Sequence, residues 1–192
     1  MSAEVERIFD EAGAILEGHF ELTSGLHSAT YWEKFKILQS PHYTEQLCRM
    51  IAQHFGGEGI QVVAGPTLGG VIVAFEVARQ LGVRSIIAER EGDGRTFRRG
   101  FTITPGERVL IVDDVLTTGT SILEVTKAVM NYGGELVGVG VLVDRSRGRV
   151  KFGVPLFSCH EVSIPTYAPE DCPLCAQGVP LTKPGSGTRG SS

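Results

Sequence analysis

The sequence predicts an α/β domain whose centre is a mostly parallel, twisted sheet flanked by helices. Apolar runs of strand length, rich in β-branched residues, occur at residues 60–64, 83–88, 109–112 and 136–143. Helical patterns at 71–81 and 121–132, each followed by glycine, lie between these runs. Because strand–helix–strand units make right-handed crossovers, the strands are expected to be parallel and their loops to meet at one carboxyl edge.

The N-terminal third carries weaker patterns. Residues 4–17 have apolar side chains at helical spacing, and a second helix is predicted at 43–55. Between them, short strands are predicted at 20–22 and 30–32 around a glycine-containing turn. At 192 residues the chain has the usual length of one α/β domain, so a single domain is expected.

Composition excludes several classes of protein. The chain has 18 basic and 22 acidic residues and a formal net charge of −4, so it lacks the overall basic character of a protein that binds nucleic acid or anionic membranes. No apolar stretch approaches the ~20 residues of a membrane span, and the acidic N-terminus does not resemble a signal peptide. Four scattered cysteines do not suggest a secreted disulfide framework. A cytoplasmic protein with reduced thiols is expected.

The most informative segment is 109–121, which reads Val-Leu-Ile-Val-Asp-Asp-Val-Leu-Thr-Thr-Gly-Thr-Ser. Its apolar run predicts a strand that is buried on both faces and ends at Asp113 and Asp114, because unpaired carboxylates are costly inside a sheet. The hydroxyl-rich loop around Gly119 then leads into a helix whose positive end favours an anion. The segment therefore predicts a phosphate site with ribose hydroxyls near the acids. The alternative, a strand and a helix that meet without function, requires all these features to coincide.

Three further features are expected at the same edge. Residues 65–70, Gly-Pro-Thr-Leu-Gly-Gly, predict a second phosphate loop, although glycine-rich connections are also common without function. Residues 90–100 contain three glycines and four arginines and predict an exposed mobile loop that folds over a polyphosphate; pairing with nearby acids is the alternative. Arg145, after the last predicted strand, offers a planar fork for a carboxylate.

Segment 109–121 resembles the phosphoribosyl diphosphate (PRPP) signature of type I phosphoribosyltransferases. Together with residues 18–25, Tyr31-Trp32, 65–70, Arg90 and Asp144-Arg145, it is similar to the orotate phosphoribosyltransferase family from about Gly18 to Arg145. The resemblance implies the type I fold, a small hood formed by residues 18–38 and the C-terminal segment, one domain over 1–183 and a flexible tail at 184–192. It also implies a homodimer, with Mg²⁺ held mainly by PRPP and water rather than by assigned protein ligands.

The resemblance also implies roles for individual residues. The PRPP-binding residues would be Arg90, Thr67, Leu68, Gly69, Asp113, Asp114, Val115, Leu116, Thr117, Thr118, Gly119, Thr120 and Ser121. The orotate-binding residues would be Thr117, Arg145, Tyr31 and Trp32, although the two aromatics are also compatible with a role in the core. In the family, the 65–70 loop often contains a non-proline cis peptide, which here would join Thr67 to Leu68.

One departure from the family concerns its lysines. Many members carry lysine at the position of Thr23, near Gly69 and in the mobile loop, but this chain has no lysine between Lys36 and Lys127. Arg95, Arg98 or Arg99 are expected to supply the missing charge. An arginine does not give up its proton at neutral pH, so that contribution would be electrostatic. The predicted catalytic residues are therefore Asp113, Asp114, Arg98 and Arg99.

Two motifs lie outside this resemblance. Cys159, His160, Cys172 and Cys175 form a possible zinc set, because Cys-x-x-Cys spacing suits a zinc knuckle, although the adjacent Cys-His pair is an uncommon second half. The Gly-x-Gly-x-x-Gly match at 185–190 follows no strand and is not interpreted as a dinucleotide site.

The predicted reaction is a displacement at the anomeric carbon of PRPP through an oxocarbenium-like state, with orotate as the nucleophile. Orotate is already ionised, so it needs no general base. One alternative is a phosphoribosyltransferase for a purine or uracil, which would not need a carboxylate fork. Another is a regulator that kept the PRPP site and binds nucleic acid through a local patch of Arg145, Arg147, Arg149 and Lys151.

Overall fold

Two sheets organise the computed structural model, which describes residues 3–22 and 24–184. The strands are β1 Ile15–Glu21, β2 His27–Trp32, β3 Val62–Pro66, β4 Arg84–Glu91, β5 Gly94–Phe97, β6 Arg108–Leu116, β7 Glu135–Asp144 and β8 Leu156–Glu161. The helices are α1 Ala3–Glu11, α2 Lys34–Leu38, α3 Pro41–Phe55, α4 Gly69–Leu81, α5 Thr120–Asn131 and α6 Pro173–Ala176, with a 3₁₀ turn at Pro169–Asp171. None of the helices in these ranges is long and apolar enough to cross a membrane.

The larger sheet has the order β5-β4-β3-β6-β7-β8, and every neighbouring pair is parallel except β4 with β5. The predicted mostly parallel sheet is confirmed. Alternate residues of its central strands enter different cores: Val63 and Leu110 pack with α3 and α4, whereas Val62 and Ile111 pack with α5. Helices on both faces explain why the central strands read as continuous apolar runs.

Several predicted boundaries are wrong for local reasons. The first helix ends at Glu11 rather than at residue 17, because Gly13 adopts a left-handed φ of 59° and the chain turns into β1. Residues 90–100 were predicted to be a mobile loop, but much of this segment belongs to an antiparallel hairpin of β4 and β5. The pairing register aligns Arg90 with Arg95 and leaves a short turn at Gly92.

The smaller sheet pairs β1 with β2 and contacts the C-terminal segment. Isolated bridges join Phe20 to Thr182 and His27 to Tyr167. The hood predicted from residues 18–38 and the C-terminal segment corresponds to this region, while the domain limits 1–183 stay a prediction. Thr23, the 185–190 glycine motif and nearly all of the tail predicted at 184–192 lie outside the described residues.

Candidate active site

The acid pair lies within β6 rather than beyond its end. Both carboxylates are buried, Asp113 at 8% and Asp114 at 4% exposure, and the strand continues through them because β7 pairs with it as far as Leu116. Backbone donors stabilise the pair: the Asp114 amide donates to Asp113 Oδ1 at 2.8 Å, and the Val115 amide donates to Asp114 Oδ1 at 2.6 Å. The predicted end of the strand at these acids is therefore wrong, since local hydrogen bonds make it possible to bury them.

Burial and the neighbouring Asp114 carboxylate raise the pKa of Asp113 well above the ordinary value for aspartate. The Asp114 amide, Lys34 and Arg95 oppose this shift. A buried carboxyl group with a raised pKa lowers the stability of the fold. Such groups are typical of functional sites, where the chemistry requires them.

Lys34 is a site residue that the sequence reasoning missed. Its Nζ lies 2.7 Å from Asp114 Oδ2, while the lysine side chain itself remains 39% exposed. Asp114 is therefore ion-paired in the absence of substrate, and its predicted role beside the ribose hydroxyls stays a prediction. The only sequence signal was a lysine two residues after the predicted strand at 30–32. It gave no indication that α2 starts beside the end of β6.

The 65–70 segment packs directly against the acids. A Cβ on Gly69 would lie 1.7 Å from Asp114 Oδ2, so only glycine permits this approach. The peptide between Thr67 and Leu68 is cis, which confirms the expectation from the resemblance. This segment and the acid pair therefore form one continuous surface.

The loop after β6 forms a polar concavity. Residues 115–122 line it, and Gly119, with a φ of 78°, precedes the first turn of α5. Gly119 also needs its lack of a side chain, because a Cβ would lie 2.6 Å from Val150 Cγ1. The hydroxyls of Thr118 and Thr120 are 3.0 Å apart. Hydroxyls and the amide groups of a helix N-terminus around one concave surface are suited to a phosphate.

The arginines of the β4–β5 hairpin, taken together with Arg98 and Arg99 that directly follow β5, divide into two groups. Arg98 and Arg99 pair with Glu91 and Glu89 of the same hairpin, so the alternative of pairing with nearby acids describes them. Arg95 differs, because its side chain is only 5% exposed and its Nη1 donates to Thr67 Oγ1 at 3.1 Å.

Glu124 of α5 holds the other two hairpin arginines. Its carboxylate lies 3.2 Å from Arg95 Nε and 3.6 Å from Arg90 Nη2. The hairpin is thereby linked both to the 65–70 segment and to the helix after the signature loop. Of the three arginines considered as the missing charge, the structure brings Arg95 to this site and leaves Arg98 and Arg99 on the hairpin.

Arg145 directly follows β7 and lies beside the loop after β6. Its amide donates to Leu116 O at 2.8 Å, and its guanidinium makes no hydrogen bond or ion pair within residues 3–22 and 24–184. Burial lowers the pKa of Arg145, and the Tyr31 phenol is its electrostatic neighbour. Burial and Glu33 raise the pKa of Tyr31, whereas Lys34 and Arg145 oppose that rise. A partly buried guanidinium without an acidic partner is suited to an anionic ligand.

Trp32 lies on the opposite side of β2 from Tyr31, as alternation along a strand requires. Its ring contacts Phe9 at 4.8 Å and His160 at 4.9 Å between centroids, so the partly buried Trp32 packs against the core, and its role in orotate binding stays a prediction. These residues also line a cleft of about 390 Å³ between α1 and the end of β8. That cleft contains neither the acid pair nor the signature loop.

The predicted zinc set is wrong in two members. Cys159 Sγ donates to Leu47 O at 3.3 Å against α3, and the His160 ring packs against Trp32 with the two planes tilted by 31°. Both belong to β8, an edge strand of the larger sheet, and their side chains contact α3 and Trp32 instead of Cys172 and Cys175. Cys172 and Cys175 lie elsewhere, at the hood. The sequence gave no sign of β8, and adjacency in sequence was a poor guide to adjacency in space.

Four features thus surround one edge of the sheet: the concavity after β6, the buried acid pair, the hairpin with its arginines, and the unpaired guanidinium of Arg145. This arrangement can hold a phosphorylated sugar, bind a polyphosphate and receive a carboxylate. Comparison with known proteins agrees. A family model described as a phosphoribosyl transferase domain matches residues 36–164.

Orotate phosphoribosyltransferase from Pelotomaculum thermopropionicum is 55% identical over 183 residues, covering 95% of this chain and 96% of that protein. Orotate phosphoribosyltransferase from Desulforamulus reducens is 52% identical, with the same coverage of 95% and 96%. These identities extend over the hood and the C-terminal segment as well as the signature.

Solved structures share the fold. The crystal structure of orotate phosphoribosyltransferase from Aeropyrum pernix has a TM-score of 0.69 and 27% identity, covering 82% of this chain and 93% of that chain. Adenine phosphoribosyltransferase from Rhodothermus marinus has a TM-score of 0.66 at 20% identity, covering 84% and 100%, and shows the fold alone. The predicted type I phosphoribosyltransferase fold is confirmed, and the chain belongs to the phosphoribosyltransferase family and, within it, to the orotate phosphoribosyltransferases.

Proposed function

We propose that this enzyme transfers the 5-phosphoribosyl group of PRPP to orotate, giving orotidine 5′-monophosphate and pyrophosphate in de novo pyrimidine synthesis. The observation that carries the proposal is the position of Arg145. Its unpaired guanidinium lies beside the loop that follows the acid pair, so a carboxylate-bearing base and a phosphoribosyl group would be neighbours. The relatives that are 55% and 52% identical bear the name of this activity.

The signature loop would bind the 5′-phosphate. The hydroxyls of Thr118, Thr120 and Ser121 and the amides at the start of α5 surround the concavity. Asp113 and Asp114, on the strand just before it, would accept hydrogen bonds from the ribose hydroxyls. In that position the two carboxylates would also stabilise positive charge as it develops on the ribose in the transition state.

The leaving pyrophosphate would lie against residues 67–69, with Arg95 and Arg90 as its cationic neighbours. Arg95 is already hydrogen-bonded to Thr67 and buried, so its charge is fixed at this surface before a ligand arrives. Arg98 and Arg99 would have to leave Glu91 and Glu89 to contribute. Such exposed pairs are weak, so this rearrangement is inexpensive.

Mg²⁺ is the expected cofactor, and the carboxylate-rich edge of β6 suits a hard cation with oxygen ligands. When bound with PRPP it would neutralise charge on the leaving pyrophosphate. Without substrate, Lys34 provides the counter-charge to Asp114. Substrate hydroxyls would replace Lys34 at this carboxylate, which would free the ammonium for the phosphate groups nearby.

Orotate would place its carboxylate on Arg145, its ring against Tyr31 and a ring polar group on the Thr117 hydroxyl. Because orotate is already an anion, the site needs no general base. The choice of base then rests on Arg145, since a base without a carboxylate leaves this partly buried guanidinium unpaired.

The exposed apolar side chains near the site are consistent with a homodimer. Leu68 at the N-cap of α4 and Ile72 and Phe75 within it are 70%, 39% and 66% exposed and follow helical spacing. We expect Phe75→Glu to convert a dimer into a monomer in light scattering after size exclusion, with the exposed Met130→Glu on α5 as the control. A dimer that survives Phe75→Glu would remove this face from the interface. A cytoplasmic location is part of the same proposal, and cysteines that are not paired in disulfides are compatible with a reducing compartment.

The test of the proposed function is Arg145→Ala assayed with PRPP, Mg²⁺ and a panel of free bases, following pyrophosphate release. The wild type should use orotate and neither uracil nor adenine. The variant should raise the KM for orotate by about 10²-fold, as expected for a lost charged hydrogen-bond pair, while the KM for PRPP changes little. Arg49→Ala, an exposed arginine of α3, is the matched control. An unaltered KM for orotate in Arg145→Ala would contradict the assignment.

A further inference from the structure

Four side chains with metal-binding chemistry converge at the hood. His19 of β1, His27 of β2, Cys172 and Cys175 each offer one nitrogen or sulfur atom, and these four atoms all lie within 4.8 Å of one another. They come from three separate segments of the chain. The sequence pattern indicates neither histidine as a ligand and combines Cys172 and Cys175 with Cys159 and His160 of β8 instead.

The distances among these atoms suit the corners of a tetrahedron. His19 Nε2 is 3.0 Å from His27 Nδ1, 3.4 Å from Cys172 Sγ and 3.7 Å from Cys175 Sγ, and Cys175 Sγ is 3.3 Å from His27 Nδ1. With Zn–S of about 2.3 Å and Zn–N of about 2.0–2.1 Å, tetrahedral ligand atoms lie about 3.3–3.8 Å apart. Four of the six edges are therefore within about 0.5 Å of the values that a zinc ion imposes.

Hydrogen bonding alone does not account for this cluster. A single imidazole nitrogen has either one lone pair or one proton, yet three polar atoms face His19 Nε2. One cation at the centre would satisfy all of them at once. Two thiolates with Zn²⁺ would also be electrically neutral, which suits a site where His19, His27 and Cys172 are buried.

The surroundings of His19 favour a ligand role. Its Nδ1 lies 2.8 Å from the Val179 carbonyl, which can only accept a hydrogen bond, so the proton is held on Nδ1 and Nε2 keeps its lone pair. Ligating histidines in proteins are oriented by such a bond from the other ring nitrogen. Cys175 is exposed, and it provides the path by which an ion enters.

We propose that His19, His27, Cys172 and Cys175 bind a structural Zn²⁺ ion that fastens the C-terminal segment to the β1–β2 hairpin. Binding forms two Zn–S and two Zn–N bonds, and the two thiol protons pass to solvent. The four protein ligands close the coordination sphere, so the ion has a structural rather than a catalytic role. The ion would also help to position the candidate orotate site, because Phe20 of β1 packs on Tyr31 at 5.6 Å between centroids.

The test measures zinc directly. Protein expressed in zinc-containing medium and purified without chelators should contain one zinc per chain by mass spectrometry of the metal. Cys175→Ser should lower that content at least tenfold, and its exposed position makes loss of folding the smallest risk of the four. Cys159→Ser, which changes a cysteine outside the cluster, is the matched control and should keep its zinc. Replacement with Co²⁺ should give the strong visible absorption of a tetrahedral site and a thiolate charge-transfer band.

A second measurement separates the ion from general stability. Removing zinc should increase amide hydrogen exchange across residues 172–182 and 19–27 while leaving β6 and α5 protected. Protein that contains no zinc, and neither takes it up from buffer nor gives the Co²⁺ spectrum, would overturn the proposal. So would a Cys172–Cys175 disulfide in the purified protein, or equal zinc loss in Cys159→Ser. None of these readouts depends on turnover, so this proposal can fail while the proposed function stands.

Discussion

The signature segment at 109–121 and the β4–β5 hairpin both place charged side chains at the same edge of the sheet, but these side chains are held differently. Asp113 and Asp114 are buried and fixed by backbone amides of their own strand. Arg98 and Arg99 are exposed and pair with acids on their own hairpin. One region is organised before any ligand arrives, and the other can exchange its partners at little cost.

This difference indicates that the two regions serve different steps of the reaction. Charge that must be in place for the transition state lies where the backbone fixes it, because preorganised groups need no rearrangement during the reaction. Charge that must let substrate enter and product leave lies on a hairpin held by weak surface pairs. Arg95 connects the two regions, since it lies on the hairpin but is buried against Thr67.

The largest effect is expected from Asp114→Asn. Loss of one fixed charge at the ribose should lower kcat/KM by roughly 10²–10³-fold, the range found when a single preorganised electrostatic group is removed. Steady-state kinetics with orotate and PRPP measure this change. Asp171→Asn, an exposed acid of the 3₁₀ turn, is the control. Activity within twofold of wild type in Asp114→Asn would show that the signature segment is not organised for catalysis.

The hairpin should show a smaller and graded effect. Arg95→Ala should lower kcat/KM for PRPP by about tenfold, the loss expected for one charge-assisted hydrogen bond, whereas Arg99→Ala should change it less. The same assay under varied PRPP measures both variants. A larger loss in Arg99→Ala than in Arg95→Ala would reverse the comparison. It would then assign the pyrophosphate contact to the rearranged hairpin.

The smallest effect is expected on thermal stability. Asp113→Asn should raise the stability of the fold, whereas Asp114→Asn should lower activity. The pKa of Asp113 is higher in the folded protein than in the unfolded chain. The folded protein is therefore more stable at acidic pH, and this stability is lost as the pH rises from the ordinary pKa of aspartate through the raised pKa of Asp113. Asp113→Asn removes that cost and keeps an oxygen acceptor for the Asp114 amide. We expect its Tm to exceed that of wild type by about 2–4 °C at pH 8, the shift for about 1 kcal/mol in a chain of this size.

The same comparison at pH 4.5 should give a smaller difference in Tm, since both folded proteins are then neutral at this position. Thermal unfolding at the two pH values measures it, with Asp171→Asn as the reference substitution. A Tm difference that shrinks as the pH rises would contradict the raised pKa and the stability cost of the acid pair.

The sequence predicted the sheet and the signature well, because strands buried on both faces leave an unmistakable apolar pattern. It located β3, β4, β6 and β7 to within a few residues and predicted the cis bond between Thr67 and Leu68 through the resemblance. The prediction of a mobile loop at 90–100 is wrong, because a high content of glycine and arginine indicates solvent exposure but does not indicate whether the backbone pairs with another strand. That segment pairs with β4 through backbone groups, which composition does not report.

The roles of single side chains were harder to predict than the fold. Lys34 was missed because its importance comes from a helix start placed beside a distant strand. The catalytic role of Arg98 and Arg99 stays a prediction, because their contacts lie with Glu91 and Glu89, the pairing that the sequence raised as an alternative. Residue type and spacing describe what a group can do, whereas a contact depends on which elements meet.

By itself the sequence determined the alternating strands and helices, the acid pair followed by a hydroxyl loop, and the family these belong to. These features are local, and a local pattern is set by periodicity and turn chemistry. Only the tertiary structure decided that Lys34 pairs with Asp114, that Arg95 lies on Thr67, and that Cys172 and Cys175 meet two histidines of the hood. Those contacts join residues far apart in the chain, and the packing of whole elements brings them together.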